Sequence, residues 1–186
     1  MIFAYTPSVE AGSRPVSPSP ACRTAVEFRN VSFRYAGAED NALDAISFSI
    51  QKGQTVGIIG GTGAGKSTLV HLLSRFYDVT DGEILLNGVP LQDYPFAQLR
   101  EIIGLVPQRA VLFRGTIREN MRWRKKDASD EEIWRALSIA QAGFVKDKPE
   151  GLDSLVMQEG KNFSGGQRQR LTIARALVGD LSLIHI

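Results

Sequence analysis

The chain is poor in cysteine, in net charge and in long apolar runs, and each lack removes a class of protein. Cys22 is the single cysteine in 186 residues. That excludes an intrachain disulfide framework and fits a reducing compartment. No apolar run reaches the roughly 18 residues that a membrane-spanning helix needs. The N-terminus, Met1-Ile2-Phe3-Ala4-Tyr5, has neither a basic region nor a long apolar core, which argues against a signal peptide. A formal net charge of +2 is too mild to argue for nucleic acid by itself. What remains, 43% hydrophobic and 23% charged, suits one globular domain with a sizeable core.

Against those lacks stands one glycine-rich octapeptide, Gly60-Gly61-Thr62-Gly63-Ala64-Gly65-Lys66-Ser67. It reads G-x-x-x-x-G-K-S, a phosphate-binding loop. Phosphates carry many lone pairs and need several convergent donors. Glycines let backbone N–H groups turn inward with no Cβ in the way, forming a concave nest. The helix that follows adds unpaired first-turn donors and the positive end of its dipole. In this motif Lys66 reaches the β- and γ-phosphates and the Ser67 hydroxyl ligates Mg²⁺. Val56-Gly57-Ile58-Ile59 reads as a strand buried on both faces, and Thr68-Leu69-Val70-His71-Leu72-Leu73 as the continuing helix. Strand, loop, helix is the order the motif requires.

Upstream, residues 6–20 hold four of the eight prolines, a linker composition that predicts an extended, poorly packed segment. From Ala25 the pattern becomes β. Val26 and Phe28 alternate with polar residues; Val31, Phe33 and Tyr35 do so after a register shift near Asn30; Ile46, Phe48 and Ile50 follow. Downstream of the loop, Glu83-Ile84-Leu85-Leu86 reads as a strand ended by the tight-turn pair Asn87-Gly88. Phe96 to Ile103 reads as a helix, and Gly104-Leu105-Val106 as a strand stopped before Pro107. Residues 114–162 change character: Ser129-Asp130-Glu131-Glu132 is a capping box opening a helix with Ile133, Leu137 and Ala140 on one face. Three tempting groups take plainer readings. His71 is a packing or surface residue, Arg122-Trp123-Arg124-Lys125-Lys126 is a solvated loop, and the adjacent Glu131 and Glu132 are first-turn acids, not a catalytic pair.

A second informative stretch is Phe163-Ser164-Gly165-Gly166-Gln167. Ser164 with Gln167 three residues on is another capping box, opening a helix that runs to about Val178. Two glycines at that mouth cost backbone entropy. They fit a helix end that an anion approaches closely, although a simple well-capped helix reads equally well.

The two motifs together resemble the nucleotide-binding domain of ATP-binding cassette (ABC) proteins, whose signature is Ser-Gly-Gly-Gln. Arg75-Phe76-Tyr77-Asp78, Leu112-Phe113-Arg114-Gly115-Thr116-Ile117-Arg118-Glu119-Asn120 and Ile173-Ala174-Arg175-Ala176-Leu177 are similar to exporter-type members. The resemblance covers roughly residues 25–180. It implies an α/β fold of the P-loop NTPase type, with an antiparallel β-subdomain, a parallel core sheet around the P-loop strand and a helical subdomain over about 110–163. It implies ATP and Mg²⁺ as cofactors. Residues Gly60 to Thr68 would bind the nucleotide, Tyr35 would stack on adenine, and Gln108, in Val106-Pro107-Gln108, would contact Mg²⁺ with Ser67. Lys66 and Gln108 would be the catalytic groups present. Ser164, Gly165, Gly166 and Gln167 would meet, in trans, the ATP held by a second nucleotide-binding domain packed head to tail.

The chain also departs from that pattern. After Arg-Ala-Leu the family has a strand ending in Asp and Glu, then an aspartate loop and a switch histidine. Leu183 to Ile186 would be that strand; His185 interrupts it, and Leu181 stands where exporters usually have Pro. The expectation is a domain truncated before the acidic strand end, with residues 181–186 foreign to it. Residues 1–24 would be a linker from a transmembrane domain. The resemblance therefore implies the ATP-hydrolysing domain of an ABC exporter, working at the cytoplasmic face of a membrane, with the chain alone inactive. Competing readings are an ATP-binding fragment without hydrolysis, a non-transport ABC ATPase and another P-loop enzyme such as a kinase.

Overall fold

The computed structural model describes residues 9–13, 15–179 and 183–185; Met1–Tyr5 and tail residues 181, 182 and 186, read above, lie outside them. The chain forms two compact units, Met1–Arg100 and Glu101–Ile186.

In the first unit, β1 (Thr24–Phe33) pairs antiparallel with β2 (Leu43–Gln51). After helix α1 (Lys66–Leu73) come β3 (Asp81–Leu86) and β4 (Val89–Pro90), completing a sheet of order β2-β1-β3-β4. The expected alternation is present: Val26, Phe28, Val31 and Phe33 are buried, and the pairing shifts register between Phe28 and Val31. Asn30 takes a φ of 50° there, a left-handed conformation that asparagine tolerates. Asn87 and Gly88, at φ 52° and 81°, make the two-residue turn between β3 and β4, whose twist needs positive φ at both positions.

The strand expected at Val56–Ile59 is absent. This run is irregular and exposed, Ile59 by 97%. A strand is held by its neighbours' N–H and C=O groups, and no described strand pairs with this one. Apolar content alone does not bury it, and the parallel core expected around it is not formed among the described residues.

The Pro-rich segment before β1 lacks regular structure, as its composition dictates, but it is packed where poor packing was expected. Gly12 N–H donates to the Tyr94 carbonyl at 3.2 Å, and a Cβ at Gly12 would lie 1.9 Å from Asp93 O. Val16 N–H donates to Gln98 Oε1 at 2.9 Å. The buried guanidinium of Arg75 donates to the carbonyls of Gln92 and Tyr94 at 3.0 and 3.2 Å, and also to that of Glu10. Proline removes donors from this segment, but Gly12 and Val16 keep theirs and donate outside it.

Helix α2 (Phe96–Ile102) leads into β5 (Ile103–Leu105) of the second unit. There follow β6 (Gly115–Thr116), α3 (Ile117–Met121), α4 (Asp130–Ile139), β7 (Leu155–Val156), α5 (Gly165–Leu177) and β8 (Leu183–His185). Strand β5 pairs parallel with β8, and β6 antiparallel with β7. The core gathers Ile117, Met121, Ile133, Leu137, Val156 and Leu171. Ile133, Leu137 and Ala140 are buried as the helical spacing predicts. Both expected capping boxes are present, Ser129 with Glu132 and Ser164 with Gln167; Thr116 with Glu119 forms a third.

Candidate functional site

The glycine-rich loop 60–67 enters α1 through Gly65, whose φ of 79° is left-handed. A Cβ there would lie 2.6 Å from Leu43 Cδ2 and 2.7 Å from the Ala42 carbonyl. Only glycine fits, on conformation and on space. Gly63, at φ 83°, turns the loop just before it. Helix α1 has no side-chain cap, so its first-turn N–H groups face outward with no competing side-chain acceptor at its N-cap. The Lys66 ammonium folds back over the loop, donating to the carbonyls of Gly60 at 2.8 Å and Gly61 at 2.6 Å. Its charge is thereby held at the mouth of the nest. Gly60 to Ala64 and Ser67 are exposed.

Tyr35 lies just past β1 and belongs to the same surroundings. Its hydroxyl shares a hydrogen bond of 3.0 Å with Thr68 Oγ1, on the second residue of α1 after Lys66. Its ring meets Phe33 and Tyr77 edge-on, with centroids 4.8 and 5.3 Å away. The ring is therefore fixed at three points beside the helix that carries Lys66. His71 takes its plain reading, with its ring 5.7 Å from that of Phe76.

In the second unit, Ser164 Oγ accepts from Gln167 N–H at 3.2 Å, and Gln167 Oε1 accepts from Ser164 N–H at 3.0 Å. Gly165 and Gly166 are exposed at the mouth of α5. A Cβ at either would meet nothing nearer than 3.8 Å. The chain's own packing does not require glycine at these two positions; close approach by something else would. Gln108 is exposed, and it lines a cavity of about 420 Å³ together with Gly165. The structure thus brings Tyr35, Thr68 and the loop together in one unit, and Gln108 and the Ser164 motif in the other.

The basic run 122–126 is spent on its own unit. Arg122 donates to the Ala128 carbonyl at 3.0 Å, Arg124 to those of Val178 and Glu101 at 3.3 and 2.6 Å, and Lys125 pairs with Glu132 at 2.6 Å. Trp123 stacks on Phe113 at 4.3 Å. No cluster of three or more His, Cys, Asp or Glu able to hold a metal occurs among the described residues.

The ABC transporter family pattern matches residues 43–185. This chain belongs to the ABC transporter family. It is 45% identical over 179 residues to an ATP-dependent lipid A-core flippase of Haemophilus influenzae (strain 86-028NP), covering 95% of this chain and 30% of that one. It is 44% identical over 163 residues to the putative multidrug export ATP-binding/permease protein YgaD of Bacillus subtilis (strain 168), covering 87% and 28%. A bacterial Atm1-family ABC exporter with ATP bound superposes with a TM-score of 0.82 at 38% identity, covering 94% of this chain and 31% of that chain. The ABC ATPase fold expected from the two motifs is therefore shown. The chain spans about 30% of the length of the curated relatives it matches. Among the described residues, no helix is long and apolar enough to cross a membrane.

Three arginines to which the sequence reading gave no role brace the chain. Arg75 ties residues 10 and 92–94 together, as described above. Arg168 donates to the Phe163 carbonyl at 2.6 Å and so braces the turn before Ser164. Arg175 donates to the Val111 carbonyl at 3.0 Å, and its guanidinium carbon lies 5.5 Å from the Phe113 ring centroid. Its Nη1 is buried without a hydrogen-bond partner. That burial pulls the Arg175 pKa below the ordinary arginine value, though an arginine this far up the scale stays charged. The signal for Arg168 was its place four residues after an N-cap serine; Arg75 and Arg175 stood in exporter-like segments that named no partner for either.

Proposed function

We propose that this chain binds ATP at the loop Gly60–Thr68 and is the ATP-hydrolysing part of an ABC exporter. The observation that carries the reading is the loop itself: a glycine-shaped nest, an uncapped helix start and an ammonium held across it by two carbonyls. Tyr35 stacks on the base. The names of the relatives, an ATP-dependent flippase and a multidrug export protein, support export as the use of the energy.

The chemistry follows from what each group can do. The inward N–H groups of the nest and the positive end of α1 stabilise phosphate oxygens as charge shifts onto them. Lys66 adds a mobile cation at the β/γ end. Ser67 carries a neutral oxygen that would hold Mg²⁺, an ion that takes few protein ligands, and Gln108 carries another in the second unit. When bound, Mg²⁺ neutralises phosphate charge and orients the nucleotide. The Ser164–Gln167 motif closes on the γ-phosphate of ATP held by a second nucleotide-binding domain. Coupling helices of a membrane domain are the other partner, which places this segment at the cytoplasmic face of a membrane.

The second reading is ATP binding without turnover. It rests on His185, which interrupts the apolar run expected in the strand after α5. One experiment tests both. ATP affinity and phosphate release are measured on the chain and on Lys66→Ala. Loss of affinity in the variant supports the site; equal affinity sinks it. Phosphate release by the chain that Lys66→Ala abolishes excludes the second reading.

A further inference from the structure

We propose that the segment carrying Glu10, Gly12 and Val16 is a latch on the proposed ATP site, and that Arg75 is the positioning residue through which it acts. Seated, the segment favours ATP; lifted by a pull or by a partner, it lowers ATP affinity. The inference rests on the ATP reading of the loop Gly60–Thr68. The segment lies ahead of residues 43–185, which match the family pattern, so membership of the family gives it no part in the site.

The segment is gripped by its backbone. Arg75 donates to the Glu10 carbonyl, Gly12 N–H donates to the Tyr94 carbonyl at 3.2 Å, and Val16 N–H donates to Gln98 Oε1 at 2.9 Å. The Gln98 amide donates back to the Val16 carbonyl, so one side chain takes both polar groups of that residue. Gly12 lies against Asp93, where a Cβ would come 1.9 Å from the carbonyl oxygen. An irregular segment held at a few backbone points opens locally at far lower cost than the core.

Arg75 is where the segment meets the site. Its own N–H donates to the Leu72 carbonyl at 2.9 Å, and Phe76 N–H to that of His71 at 2.9 Å, closing the last turn of α1. Its side chain, 2% exposed, enters a pocket of acceptors. Nη1 donates to the Gln92 and Tyr94 carbonyls, Nε to Asp78 Oδ1 at 3.1 Å and Nη2 to the Glu10 carbonyl. The guanidinium carbon lies 5.2 Å from the Phe96 ring centroid. The Arg75 backbone has a φ of 53°, a left-handed conformation that persists in a non-glycine residue only where its surroundings fix it. Lifting the segment takes the Glu10 acceptor from Nη2. That buried donor then stays unpaired until the turn shifts or water enters.

Both sides of the proposed site hang on this residue. Helix α1 is about 12 Å long, with Lys66 at its start and Arg75 just past its end. The bond from Arg75 to Asp78 staples the turn 75–78, which carries Tyr77. The Tyr77 ring lies 5.3 Å from that of Tyr35, whose hydroxyl is bonded to Thr68. A shift of Arg75 therefore reaches the helix that carries the loop and the ring proposed to stack on the base. Linkage makes the effect reciprocal: ATP holds the segment down by the factor by which the seated segment strengthens ATP binding.

The test is hydrogen exchange at the Gly12 and Val16 amides of the 186-residue chain, with and without ATP and Mg²⁺, beside ATP titrations. At a concentration that saturates only the parent, ATP should slow both amides at least about fivefold in the parent and leave Lys66→Ala unchanged. Local opening sets exchange at these amides, so general stabilisation of the fold by a ligand does not mimic the result. Gly12→Ala drives the segment off Asp93 without touching Arg75 or the loop, and should weaken ATP binding by that same factor. Gln98→Ala, which frees Val16, should act in the same direction. Gly12→Ala added to Arg75→Lys should cost nothing further, because a single ammonium in place of the planar fork cannot carry the effect. Parent affinity in Gly12→Ala, exchange at Gly12 and Val16 indifferent to ATP in the parent, or additive losses in the double variant would each overturn the latch. Affinity lost in Lys66→Ala beside any of these leaves the ATP reading standing. Equal affinity in the parent and Lys66→Ala sinks that reading and the latch with it.

Discussion

Lys66 carries the charge on which the proposed ATP site turns. Two loop carbonyls hold its ammonium, at 2.8 and 2.6 Å, where phosphates would displace or share them. Lys66→Ala removes that charge and should cost about 1.5–3 kcal/mol of ATP binding, roughly 10- to 100-fold in Kd by titration calorimetry. Tyr35 makes a graded prediction. Tyr35→Ala removes the ring and should weaken ATP and GTP alike by about 1–3 kcal/mol, since either purine offers a π-face. Tyr35→Trp should be tolerated by both nucleotides. Tyr35→Phe keeps the ring but deletes the hydroxyl bonded to Thr68, which should cost about 0.5–1.5 kcal/mol of stability and less of affinity. Equal nucleotide affinities across Tyr35, Ala and Phe would reduce this residue to an ordinary packing aromatic.

Helix mouths and short strands carry the next set of consequences. Ser164→Ala unmakes the cap of α5 and should destabilise the second unit by about 0.5–2 kcal/mol in denaturant unfolding. Arg118 bonds Asp153 at 2.8 Å and also Asp130, linking α3 to the turn before β7 and to the start of α4. The Arg118 hydrogen bond, with its charge, pulls the Asp153 carboxyl below its ordinary pKa. A depressed carboxyl stabilises the fold above its unfolded pKa and loses that contribution as pH falls through the folded one. The Tm gap between the parent and Arg118→Met should therefore narrow once pH drops below about 4. A gap that stays constant down to pH 2 would show that the pair contributes nothing electrostatic. Local signals made the caps, the Asn87-Gly88 turn and the Asn30 register shift legible in sequence, because each is decided within a few residues. Val56–Ile59 was misread because burial of a strand depends on neighbours its own sequence does not contain. Arg75 and Arg175 act across 65 and 64 residues, to Glu10 and Val111, and no local pattern announces such reach.

For the whole chain, binding and turnover are separable. Phosphoryl transfer to water needs an oriented nucleophile as well as neutralised phosphates. In the proposed reading the loop and Lys66 serve the second need. Steady-state phosphate release should therefore fall to background in Lys66→Ala, while ATP binding is only weakened. Equal release by the parent and Lys66→Ala would mean that the loop takes no part in turnover. The bare run Val56–Ile59 has a consequence of a different kind. Among the described residues no strand pairs with it, and its solvent-facing valine and isoleucines are a template on which a second copy can add edge to edge. Concentrated solutions of this chain should accordingly polymerise through that segment, raising thioflavin fluorescence with a lag that seeding abolishes, and a lysine in place of Ile59 should silence the growth.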